Sequence, residues 1–153
     1  MEASKGYEII YIDMNNLYGG SMSYKLPIDS YEWVEDLEPF YENWKDWKAE
    51  SEYGYIFEVD LAYPESLHKD VAHQQFPLAP VTEEILFENL SPEAQKYVHQ
   101  GYKAIKQVAH FKTRYNYVTH YENLKFYLQK GLKLLKIHSV LKFRQEAFIQ
   151  PYM

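Results

Sequence analysis

Apolar and polar positions alternate in several stretches of this chain, and the period of each alternation predicts an element. Residues 7–12, YEIIYI, form a β-branched and aromatic run interrupted only by Glu8, which predicts a short strand buried on both faces. Residues 15–23 predict a turn into a short helix, with Gly19 and Gly20 allowing a close backbone approach. After Pro27 the chain extends through Tyr31 to Val34. Phe40, Trp44 and Trp47 recur at helical spacing, which predicts a helix over 37–48. Residues 54–64 set Ile56, Glu58 and Asp60 against Phe57, Val59 and Leu61, a period of two that marks a strand with one wet face. Three prolines between 64 and 80 predict an irregular excursion. Ser91 then caps a helix with Pro92 at its first position. Leu124 and Leu128 place a helix over 121–129, ended by Gly131, and 133–143 reads as a long strand carrying Leu135, Ile137 and Val140 among basic residues.

These elements describe a mixed α+β chain of 153 residues, enough for one domain with a core. No run of about 18 apolar residues is present, and residues 1–8 carry neither a basic start nor an apolar signal core. The absence of cysteine excludes a disulfide framework, a thiolate nucleophile and a zinc ribbon, and fits an intracellular setting. An aromatic content of 18% argues against a disordered tail.

The net charge of −6 hides a division along the chain. Residues 1–99 hold 6 Lys/Arg and 20 Asp/Glu, whereas residues 100–153 hold 10 and 2. The basic third is interleaved with aromatics, a composition that can follow a phosphate backbone while rings stack on bases. Lys112, Arg114, Lys133, Lys136, Lys142 and Arg144 are the candidates for phosphate contact, with a solvated basic face as the alternative. Glu58, Asp60, His68 and His73 have the residue types of a metal cluster, but the histidines lie in a proline-rich loop without a spacing that converges them. His120 and His138 read as packing or hydrogen-bonding residues.

The stretch YIDMNNLYGGSM, residues 11–22, ends a β-branched run on a lone carboxylate, Asp13. Two readings are open: Asp13 caps the following helix and Tyr18 is a core ring, or Asp13 is a ligand held where a strand ends. DMNNLYGGSM resembles the first conserved motif of family B DNA polymerases. Residues 11–34, 54–80 and 117–153 are together similar to three successive blocks, in order, of the protein-primed polymerases of Polinton or Maverick elements, related viruses and linear plasmids.

That resemblance implies a partial polymerase palm with an inserted α+β region. Residues 1–50 would carry the first part of the palm, 51–110 an insert that contacts the terminal, priming protein, and 111–153 a basic helix and strand returning towards the palm. Asp13 would be catalytic, binding Mg²⁺ with the Met14 carbonyl, and Asn15, Asn16, Leu17 and Tyr18 would face an incoming dNTP, Tyr18 lying under its sugar. DNA is the implied partner. Gly19 and Gly20 stand where relatives carry Pro or Gly and then Trp. The Lys-x-x-x-Asn-Ser-x-Tyr-Gly helix and the Asp-Thr-Asp hairpin are absent from the sequence, and the three blocks that carry the resemblance include no exonuclease block. The expectation is therefore a polymerase part that is inactive alone, since one carboxylate does not assemble a two-metal centre. The alternatives are a non-catalytic DNA-binding or interaction module derived from a mobile element, and a decayed reading frame that does not fold alone.

Overall fold

The computed structural model describes residues 10–152. The centre of the fold is a four-stranded antiparallel sheet in the order β1-β6-β2-β5, formed by β1 (Leu26–Trp33), β2 (Tyr53–Ala62), β5 (Arg114–His120) and β6 (Lys133–Glu146). A separate antiparallel pair joins β3 (Val81–Leu86) to β4 (Lys103–Val108). Four short helices complete the chain: α1 (Leu17–Met22), α2 (Val71–Gln75), α3 (Pro92–Gln95) and α4 (Tyr121–Gln129). The mixed α+β class read from the sequence is the one found.

The alternation of β2 sets the core. Phe57, Val59 and Leu61 are fully buried, while Ile56, Glu58 and Asp60 are half-buried on the opposite face. Trp47 stacks on Phe57 with ring centroids 4.8 Å apart, Phe40 meets Phe57 edge-on at 5.5 Å, and Tyr121 and Leu124 of α4 close the cluster. The aromatic turns at 38–47 and α4 thus pack over this one face.

Several local expectations hold. Ser91 accepts from the Ala94 N–H with Pro92 at the first helical position. The helix over Tyr121–Gln129 ends at Gly131, whose φ of +101° is a conformation only glycine adopts without strain. His120 caps α4 by accepting from the Glu122 N–H.

Others are corrected. The run at 7–12 is not a strand in its described part: Ile10, Tyr11 and Ile12 have no regular structure and lie exposed, and residues 7–9 fall outside the described residues. The segment 37–48 is not one helix but two 3-10 turns, Glu38–Tyr41 and Asn43–Asp46. The Asn43 side chain accepts from the Trp47 indole at 2.9 Å, a local bond that favours the turn and lets Phe40 and Trp47 both reach the sheet. On β6, two bulges opposite Glu58/Val59 and Asp60/Leu61 leave His138 and Leu135 without partners on β2, so Leu135 is exposed rather than core. β3, β4 and β5 were not anticipated by the periodicity.

The three sequence blocks share this sheet. β2, from residues 51–110, is bordered on both sides by strands from residues 111–153, and β1 pairs along β6.

Candidate functional site

The stretch around Asp13 is an arm laid outside the sheet. Ile10 to Met14 is irregular, and α1 follows after a turn at Asn15 and Asn16. Asn16 occupies the N-cap position with φ 52° and ψ 42°, a left-handed conformation that Asn tolerates better than most residues. It offers no side-chain cap; its carbonyl accepts from the Gly20 N–H at 2.9 Å. A Cβ added at Gly19 would collide with the Asn16 side chain, whereas Gly20 faces open space. The close approach that the glycine pair permits is therefore local, between Gly19 and Asn16.

Asp13 is exposed and three residues before the N-cap, so it does not cap α1. Tyr18 is 83% exposed and is no core ring. Both halves of the structural reading of this motif fail on geometry. The arm also exposes Tyr11, Met14, Leu17, Met22 and Tyr24.

Among the described residues no group of three or more His, Asp or Glu is placed to hold a metal. Asp13 and the Met14 carbonyl fit one corner of a hard-cation site and not a whole one. Asn15, Asn16, Leu17 and Tyr18 are likewise exposed. The other acidic and histidine candidates do not converge. Asp60 accepts from the Asn116 N–H at 2.9 Å and pairs with His138 Nε2 at 2.8 Å, bonds that hold its carboxyl below the ordinary range. Glu58 accepts from the Ser139 hydroxyl at 2.9 Å. His68 meets the Tyr63 carbonyl at 3.2 Å and His73 Nδ1 meets the Tyr63 hydroxyl.

The six basic candidates divide. Arg114 is buried at 3% exposure, and its guanidinium is spent on the carbonyls of Ala79, Leu78, His110 and Lys112, so it is withdrawn from phosphate contact. Burial presses its pKa down from the ordinary arginine value. Arg144 grips Asp29 through two bonds of 2.8 and 2.6 Å, which hold the Asp29 carboxyl at about 2. Lys142 lies 3.7 Å from Glu32 and over the Tyr53 ring. Lys112, Lys133 and Lys136 remain exposed.

A further site left no mark on the sequence. Tyr24, Lys25, Ala49, His120, Tyr121, Glu122 and Gln145 line a cavity of about 310 Å³ between the end of the arm, the residues before β2, the start of α4 and the end of β6. Its residues come from four distant stretches, so no spacing announces it. Comparison of the chain with protein-family models, curated proteins and solved structures finds no match. No described helix is long and apolar enough to cross a membrane.

Proposed function

We propose that this chain is the part of a protein-primed family B DNA polymerase that carries the first palm motif, together with the insert that meets the priming protein. The observation that carries the reading is that Asp13 and Tyr18 are both exposed and have no hydrogen-bond partner among the described residues. A carboxylate and a ring kept out of the core, on an arm rich in uncovered apolar side chains, suit a segment completed by further polymerase surface. The three blocks that resemble the family in order supply the rest of the argument.

When bound, a pair of Mg²⁺ ions holds the attacking and leaving oxygens of nucleotidyl transfer in line. This chain's contribution is one carboxylate at Asp13, the Met14 carbonyl beside it, and the Tyr18 ring, which would lie under the sugar of a dNTP and exclude a 2′-hydroxyl. Asn15, Asn16 and Leu17 would line the triphosphate side. One carboxylate is insufficient, so the chain alone is inactive in this reading. DNA, the terminal protein and an intracellular setting follow from it.

A second reading, a non-catalytic DNA-binding module, draws on the exposed Lys112, Lys133 and Lys136. The two are separated by sequencing the transcript through the codon for Met153. A frame that continues into an Asn-Ser-x-Tyr-Gly-like helix and an Asp-Thr-Asp hairpin is the expected result, and expression of that longer frame gives primer extension that Asp13→Ala abolishes. A stop codon directly after Met153 overturns the polymerase reading and leaves the binding module.

A further inference from the structure

The ribbon of β3 and β4 shares no strand with the four-stranded sheet. Two side chains of β5 bond to its root. The Tyr117 hydroxyl donates to the Pro80 carbonyl at 3.3 Å, and Arg114 donates to carbonyls on both flanks of the ribbon, Ala79 at 2.7 Å and His110 at 2.6 Å among them. Arg114 also donates through Nη1 to Nδ1 of the His110 ring at 2.7 Å, and the Lys112 N–H points to the same nitrogen at 3.3 Å. The other ring nitrogen, Nε2, lies 3.0 Å from Glu83 Oε1.

These distances fix the state of the ring. A guanidinium and a backbone N–H only donate, and a carboxylate only accepts, so His110 is neutral, with a lone pair on Nδ1 and its proton on Nε2. The imidazole thereby relays the Glu83 carboxylate on β3 to the Arg114 guanidinium on β5. Arg114 is buried, and the carboxylate that supports its charge is Glu83, one imidazole away.

A proton added at Nδ1 removes that acceptor and sets a positive ring 2.7 Å from a guanidinium that keeps its own charge. The surrounding groups decide which contact survives. Glu83 attracts the charged ring from β3, with Lys106 opposite it on β4, while Glu84 is taken by Lys103 at 2.7 Å. Lys112 and Arg114 add positive charge at the same corner. Burial raises the pKa of the Tyr63 and Tyr117 hydroxyls, so neither contributes charge. The charged ring stays with Glu83 and parts from Arg114.

We propose that His110 is a pH-operated latch between the β3–β4 ribbon and the sheet. It is closed while the ring is neutral and released when Nδ1 takes a proton in the range where histidine titrates. The latch stabilises the docked ribbon at neutral pH, and that contribution is lost as pH falls. The Glu83 link lies within the ribbon and its flank, so the ribbon loosens from β5 as a unit. No residue of the Asp13 motif takes part, so the latch stands apart from the polymerase reading.

The test is hydrogen–deuterium exchange of the full chain at about pH 7.5 and about pH 5.5, a span in which histidine titrates, corrected for the intrinsic exchange rate. Protection of the β3 and β4 amides is expected to fall about tenfold or more at the lower pH, the scale of one hydrogen bond to a charged group, while β2 and β6 keep theirs. In His110→Gln, whose amide does not titrate, protection of the ribbon is expected to be the same at both pH values, whatever its level. Nitrogen-15 spectra of the imidazole give a reading that needs no variant: at the higher pH, Nε2 of His110 is expected to carry the proton and Nδ1 none. Unchanged protection in the parent, an equal fall in His110→Gln, or a ring already protonated on Nδ1 at the higher pH overturns the proposal.

Discussion

The Arg114 guanidinium donates through Nε to the Ala79 carbonyl at 2.7 Å, tying the start of β5 to a fully buried alanine whose φ is +52°. A left-handed alanine is strained, and the charge-assisted bond holds it. The same guanidinium accounts for three more carbonyls of the 78–80 and 110–112 segments. Arg114→Lys keeps the charge but not the fork. It should destabilise the fold by about 2–4 kcal/mol, the scale of leaving several buried acceptors poorly paired, as read by urea unfolding, without changing DNA affinity.

Asp60 predicts an acid-sensitive link between strands. Its folded pKa lies below the ordinary carboxylate value, through the Asn116 N–H first and His138 next. The stabilisation is therefore fully present above pH of about 4 and is lost as pH falls through the depressed folded value. Asp60→Ala should cost about 1–2 kcal/mol at pH 7, the worth of hydrogen bonds to a charged group. Parallel unfolding curves at pH 7 and pH 3 check this; the gap between parent and variant should shrink at the lower pH.

In the proposed DNA-binding reading, the division among the basic residues predicts which of them contact phosphate. Replacing Lys112, Lys133 and Lys136 together by Ala should flatten the log–log salt dependence of DNA binding by about 0.9 per phosphate contact removed. Arg144→Ala should leave that slope unchanged, because Asp29 already holds its guanidinium. Fluorescence anisotropy across a salt series distinguishes the two.

Two glycines should respond oppositely. At Gly131, with φ +101° and Leu67 Cδ1 3.2 Å from an added Cβ, Ala should cost about 1 kcal/mol or more. At Gly20, within α1 and facing open space, Ala should strengthen the helix by about 0.5–1 kcal/mol. Thermal melting reports the first, and slower amide exchange in α1 reports the second.

What the sequence makes legible follows from how local its cause is. The Ser91 cap, the Gly131 stop and the period of β2 are each set by a few neighbouring residues, and all three are found. β5 was hidden because RYNYVTH has no clean alternation: Asn116 sits in the left-handed region and Arg114 turns inwards. Arg114 itself looked like a phosphate ligand because its carbonyl partners at 78 and 79 lie 36 and 35 residues away. Residues 10–12 have strand composition but pair with none of the described strands, and hydrogen-bonded partners, not composition, make a strand. At the motif, the sequence left capping and ligation open for Asp13; the position of Asn16 at the N-cap removes capping.

Asp13 and Tyr18 are exposed, and neither belongs to the core or has a hydrogen-bond partner among the described residues. Equilibrium urea unfolding of the Asp13→Ala, Tyr18→Ala double variant tests this most directly. The unfolding free energy is expected to stay within roughly ±0.5 kcal/mol of the parent's, as for an ordinary surface substitution. A loss of several kcal/mol, as from removing a helix cap worth about 1 kcal/mol and a core aromatic worth about 3–5 kcal/mol, would contradict it and return both residues to the scaffold.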